Sequence, residues 1–332
     1  MASLTDVQAT WKLSVCLRRL GLCALLAGAL GPISDSAAAP AEPARPIATP
    51  PAAQRTFATP EAAAEALIVA AERYDLPALK EILGPDGVDL VVTEDEVQSK
   101  NQCAAFAAVA RERKEIVRDP ANPTTVILSV GSDDWPMPVP IVQVNGTWRF
   151  DTQAGHEEIL NRRIGGNELD AIEICRGYFE AQHEYALEKH DGSAVNQYAR
   201  RIFSTPGKQD GLVWRAADGS LQGPVAEGIA RAIAEGYTDK SEPYHGYYFK
   251  ILKGQGPAAP LGQLDFLVGG LMIGGFALVA APADYGASGI KTFIVSHNGV
   301  VYEKDLGPGT PGAFKAMDRY NPDETWNPVP EP

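Results

Sequence analysis

Side chains that carry chemistry are scarce in this chain. Four cysteines and five histidines occur in 332 residues. No cysteine pair has metal-ligand spacing and the histidines are scattered, so no metal or other cofactor is expected. Residues 57–152 contain no histidine. Basic residues are few as well: 29 Lys and Arg against 42 Asp and Glu leave a net charge of -13. No Lys/Arg cluster offsets that balance, which repels phosphate backbones and excludes nucleic acid as a partner. The apolar run near the start, Leu20 to Leu30, is shorter than the ~20 residues that span a bilayer.

That run has informative flanks. Lys12, Arg18 and Arg19 precede it, and Ser36-Ala37-Ala38-Ala39 follows it. A basic start, an apolar middle and small residues at a cleavage point are the pattern of an export signal. Residues 1–39 are therefore read as a signal peptide. The mature chain is expected to be periplasmic or secreted, with membrane attachment only through an uncleaved signal. Cys23 follows Leu22, and most of the apolar run lies after it, which argues against a lipid anchor. Residues 40–56 are rich in Ala and Pro and read as a flexible linker.

Residues 57–155 read as a first domain. Thr59-Pro60-Glu61 opens a helix with Ala64, Leu67, Ile68 and Ala71 on one face. Asp75-Leu76-Pro77 opens another, stopped by Gly84-Pro85-Asp86-Gly87. Val88 to Val92 is expected as a strand and Gln98 to Arg113 as a helix. Strands are expected over Thr124–Val130, Val139–Val144 and Thr147–Phe150, the last two joined by an Asn145-Gly146 turn. Trp135, beside Asp133 and Asp134, is the candidate ligand-binding residue here, weighed against a rigid start to a strand. Cys103 and Cys175 lie on apolar helical faces and read as two separate buried thiols.

Residues 156–326 read as a second domain, and 327–332 as a tail. Asn167 is expected to cap a helix from Glu168 to about Lys189, with Asp170 as a capping-box acid. Its two apolar stripes, Ile172/Cys175/Phe179 and Ile174/Tyr178/Ala181/Tyr185, imply packing on more than one side. Thr205 and Lys208 have acyl-transfer spacing, but Pro206-Gly207 breaks the helical turn that chemistry needs, so a tight turn is expected.

Tyr247 to Leu252 reads as a strand. It follows the densest polar-aromatic block, Pro243-Tyr244-His245-Gly246-Tyr247-Tyr248-Phe249. His245 is the candidate acid/base, Tyr244 or Tyr248 would orient a substrate, and Asp265 or Asp284 would supply a carboxylate. Tyr247 is a candidate ligand contact. The alternative is a strand start with aromatics filling the core. Phe266 to Ala283 has no charge, but its four glycines and Pro282 favour strands over a membrane helix. Ile290–Ser296 and Val300–Tyr302 form a hairpin with His297 at an exposed tip. Ala313–Arg319 is a last helix, and Trp326 is expected to fold back onto the core.

Helices followed by antiparallel strands, twice over, make an α+β fold of two domains. Residues 57–152 resemble the nuclear transport factor two-like cone. The long helix and strand meander of the second domain, with Phe276-x-Leu278-x-Ala280-x-Pro282, are similar to the globular part of pilins and pseudopilins. Asn167-Glu168-Leu169-Asp170-Ala171, Ser204-Thr205-Pro206-Gly207-Lys208, Pro243 to Phe249 and Met272 to Ala280 together resemble the exported bacterial family called domain of unknown function 2950. That resemblance implies an envelope or secreted protein and supplies no activity or site residue. Three functions are open: a non-enzymatic module binding an envelope ligand or protein, a metal-independent hydrolase or lyase using His245, and a pilin-like assembly or docking protein.

Overall fold

The structure, a computed structural model, describes residues 54–91, 96–224 and 243–331. The expected signal peptide and most of the linker lie outside them. The fold is α+β, and the chain divides into two compact units, residues 1–159 and 160–332.

In the first unit, α1 (Pro60–Arg73) begins as the sequence implies: Thr59 Oγ1 accepts the N–H of Ala62 at 3.1 Å. In α2 (Leu76–Leu83), Asp75 accepts from Ala78 in the same way. The apolar faces of both helices are buried with α3 (Glu96–Glu112) against a sheet. Its strands are β1 (Lys114–Arg118), β2 (Thr125–Val130), β3 (Trp135–Pro136), β4 (Ile141–Val144) and β5 (Thr147–Phe150). The order is β1-β2-β4-β5, with β3 also on β2.

One expectation fails here, and one strand is additional. Pro85–Leu90 is a 3-10 helix, not the start of a strand. The Gly87 N–H bonds the Gly84 carbonyl at 3.2 Å, and the same tight winding carries on to Leu90. Strand β1 was not foreseen, because Lys-Glu-Ile-Val-Arg is nearly all exposed at a sheet edge and shows no alternating pattern.

Helix α4 (Thr152–Tyr185) begins well before Glu168, and the division into units falls within it. Asp151, not Asn167, caps it, accepting the N–H of Ala154 at 3.3 Å. Asn167 is therefore interior to the helix. The helix runs through Gly165-Gly166.

The second unit has a five-stranded antiparallel sheet beneath α4. After a small hairpin of β6 (Trp214–Arg215) and β7 (Leu221–Gln222) come β8 (Tyr247–Leu252), β9 (Gly254–Gln255), β10 (Leu264–Asp265), β11 (Leu267–Val268) and β12 (Leu271–Met272). Then follow β13 (Ala277–Pro282), β14 (Lys291–Ser296), β15 (Val301–Asp305), α5 (Thr310–Ala316), β16 (Arg319–Tyr320) and β17 (Asn327–Pro328). The main order is β17-β15-β14-β13-β8. Strand β13 is buried along its whole length, as a central strand should be. Ile172, Cys175, Tyr178, Ala181 and Tyr185 of α4 share its core, while Ile174 packs separately with Tyr244. The helix is thus covered on more than one side. Trp326 is buried, and Asn327–Pro328, expected as tail, pairs with β15. The last helix begins at Thr310, and Arg319 instead joins β16 beside β9. None of the described helices is long and apolar enough to cross a membrane.

Candidate functional site

Tyr244 and Tyr247 exchange backbone hydrogen bonds, each N–H to the other's carbonyl at 2.9 Å. His245 and Gly246 are therefore the central pair of a two-residue turn. Their φ angles, +45° and +75°, are the left-handed pair that such a turn needs. Glycine adopts them freely, whereas a side chain there costs about 1 kcal/mol. Histidine is held by two neighbours. Its ring stacks on Tyr244, with centroids 4.1 Å apart and planes at 24°. Its Nδ1 hydrogen-bonds Asp170 Oδ2. The two side chains are 30% and 17% exposed, so water reaches the pair only in part.

Asp170 belongs to a polar turn of α4 that grips the sheet's loops. Asn167 Nδ2 donates to the carbonyl of Ser288 at 2.8 Å. Glu168 Oε1 accepts from the N–H groups of Ile290 at 2.9 Å and Lys291 at 3.0 Å. Ser288 Oγ donates to the carbonyl of Gly246 at 2.8 Å. A Cβ on Gly246 would stand 2.7 Å from both Asn167 Nδ2 and Ser288 Cβ. Gly246 therefore serves both the turn and the close approach.

With Asp170 accepting at Nδ1, the imidazole presents Nε2 as its second nitrogen. No described residue hydrogen-bonds Nε2, and no hydroxyl or thiol among them hydrogen-bonds the ring. The arrangement can take up or give a proton at Nε2, or bind a donor or an anion there.

The other sequence candidates are dispersed. Tyr244 is beside His245 but buried. Tyr247 is 1% exposed, and its hydroxyl donates to the carbonyl of Lys291 at 2.8 Å. Burial, then the Glu168 carboxylate, holds that phenol far above its ordinary pKa. Tyr248 stacks near Phe314. Asp265 pairs with Arg319. Asp284 is exposed, and its backbone carbonyl accepts from Ser288. Trp135 is partly buried against the first unit's core. The carboxylate that does meet His245, Asp170, was read as a capping acid. Its signal was the run of Asn167, Glu168 and Asp170 within one turn, just before the helix's apolar stripes begin at Ile172.

Two further features differ from, or match, expectation. His297 is not a solvated tip. Its ring lies edge-on to Phe266 and Phe276, and its Nδ1 is buried without a partner. Burial, then neighbouring His183, lowers its pKa. The Thr205 region is the expected tight turn, with Lys208 N–H donating to the Thr205 carbonyl at 2.9 Å. The Thr205 hydroxyl is engaged by Asp210 at 2.9 Å. Among the described residues, no group of three or more His, Cys, Asp or Glu is placed to hold a metal ion.

Two α+β units, the second a long helix over an antiparallel sheet with a His–Asp pair at one turn, define the kind of protein this is. Residues 54–329 match the family described as protein of unknown function (DUF2950), and the chain belongs to that family. No curated protein and no solved structure matches it.

Proposed function

We propose that the protein is an exported, envelope-associated binding module that recognises its ligand at His245. The observation that carries this is the His245–Asp170 pair. A carboxylate fixes one nitrogen of a part-exposed imidazole, so the other is presented in a set orientation toward a hydroxyl, amide or anionic group of a ligand. The dispersal of the expected partners supports binding over turnover: Tyr248 stacks near Phe314, Asp265 pairs with Arg319, and the carboxylate that meets His245 is Asp170 and not Asp284. The basic, apolar and small-residue order of residues 1–39 supports export. The helix-over-sheet plan of the second unit is in keeping with a pilin-like fold, and the first unit's helices packed on an antiparallel sheet with a nuclear transport factor two-like cone.

A second reading draws on the same pair. A His–Asp dyad is also sufficient for general acid/base work in a metal-independent hydrolase or lyase. One experiment separates the two. The full chain is incubated with an enzymatic digest of peptidoglycan, and the retained and released fragments are weighed by mass spectrometry. Binding predicts unchanged fragments retained by the wild type and lost by His245→Ala. Shortened fragments establish the second reading. Equal retention by His245→Ala and wild type, without cleavage, contradicts both.

A further inference from the structure

The β11–β12 hairpin has an apolar outer face that the core does not use. Cross-strand partners share a face. Leu267 pairs with Met272 and Val268 with Leu271. Met272 is buried and Leu267 packs on the core, so that face is the inner one. Val268 and Leu271, with Ile273 two residues further along, therefore face outward. Val268 is 52% and Ile273 44% exposed. The tip is Gly269-Gly270, both at positive φ, and a Cβ at either would meet nothing within 4 Å. Residues 266–283 carry no charge.

The surroundings indicate what covers this face. The exposed Arg200 reaches the tip, its guanidinium donating to the Gly270 carbonyl at 3.2 Å. A guanidinium has five N–H donors and this bond uses one. The nearest acid in sequence, Asp265, is neutralised by Arg319. On a chain of net charge -13, this hairpin carries no charge of its own and has the Arg200 cation at its tip. A glycine tip has no side chains with which to read a specific protein surface. Apolar residues that enter the acyl boundary, with an arginine at headgroup depth, suit a phospholipid surface.

We infer that the β11–β12 hairpin docks on an anionic phospholipid bilayer, with Val268, Leu271 and Ile273 buried at the interface and Arg200 on headgroup phosphates. This contact is separate from His245 and from any attachment through Leu20–Leu30.

The test is amide hydrogen exchange of the full chain with phosphatidylcholine vesicles, with and without phosphatidylglycerol. Exchange is read over the hairpin itself, so attachment elsewhere does not imitate docking. The expected result is several-fold slower exchange across residues 267–273 on phosphatidylglycerol vesicles, retained in His245→Ala. It should be lost in Val268→Ser/Ile273→Ser and weakened in Arg200→Gln, most at low salt, where the arginine's attraction to phosphate is least screened. Unchanged exchange over β13 certifies that each variant is folded, and Val268→Ala replaces any variant that fails this control. Hairpin exchange that ignores vesicles overturns the inference. So does protection that rises with protein concentration alone, which would assign the face to a second copy of the chain.

Discussion

His245 and Asp170 are 75 residues apart in sequence and hydrogen-bonded in the structure, turn to helix. The contact joins β8's leading turn to α4, and it sets which imidazole nitrogen faces outward. Asp170→Ala removes a partly shielded, charge-assisted bond and should cost about 1–2 kcal/mol in denaturant melts. It should also release the ring's tautomer. Nitrogen-15 spectra of the neutral ring should show the proton on Nδ1 in the wild type and a mixture of the Nδ1–H and Nε2–H tautomers in the variant. An unchanged tautomer would show that Asp170 does not orient His245.

Two glycines separate crowding from backbone cost. Gly246→Ala meets both, with φ at +75° and neighbours at 2.7 Å, and should lose more than about 2 kcal/mol. Gly269→Ala has a positive φ but open space, and should lose only about 1 kcal/mol. Equal losses in thermal melts would remove the argument that Asn167 and Ser288 press on the turn.

His297 gives a stability change with pH. Burial, then His183, lowers its folded pKa from the ordinary 6.5. The unfolded chain therefore binds the proton more readily. The contribution is complete above about pH 6.5 and is lost as pH falls through the folded value. Urea midpoints should drop across that window, and His297→Gln should flatten the drop. Carboxylates act later. Burial of Asp210 opposes its ionisation, but the Thr205 donors and Arg201 outweigh this and hold its pKa below 3.8.

The cysteines should be silent in the native protein. Cys103 and Cys175 are free and buried. Burial raises both thiols, Cys175 to about 12. Neither should react with iodoacetamide until denaturant is added, when both should. Native labelling of Cys175 would mean that its face of α4 is not packed on the sheet.

Much of this architecture can be read from local pattern. Thr59 and Asp75 begin helices because short polar side chains satisfy free N–H groups. Tyr247–Leu252 and Ala277–Pro282 form strands because of their composition and their bounding glycines. What escaped reading depends on distant partners. Strand β1 is specified by β2 and not by its own charged sequence. Helix α4 runs through Gly165-Gly166 although each glycine weakens it locally. The pairing of His245 with Asp170 rather than Asp265 or Asp284 is a tertiary fact that no spacing encodes.

The most direct test of the account follows the His245 ring signals in the full chain during titration with a peptidoglycan digest. Saturable shifts at His245, abolished in Asp170→Asn while that variant's melting temperature stays near wild type, are the predicted result. Fragments retained by the protein with the His245 signals unmoved would contradict it.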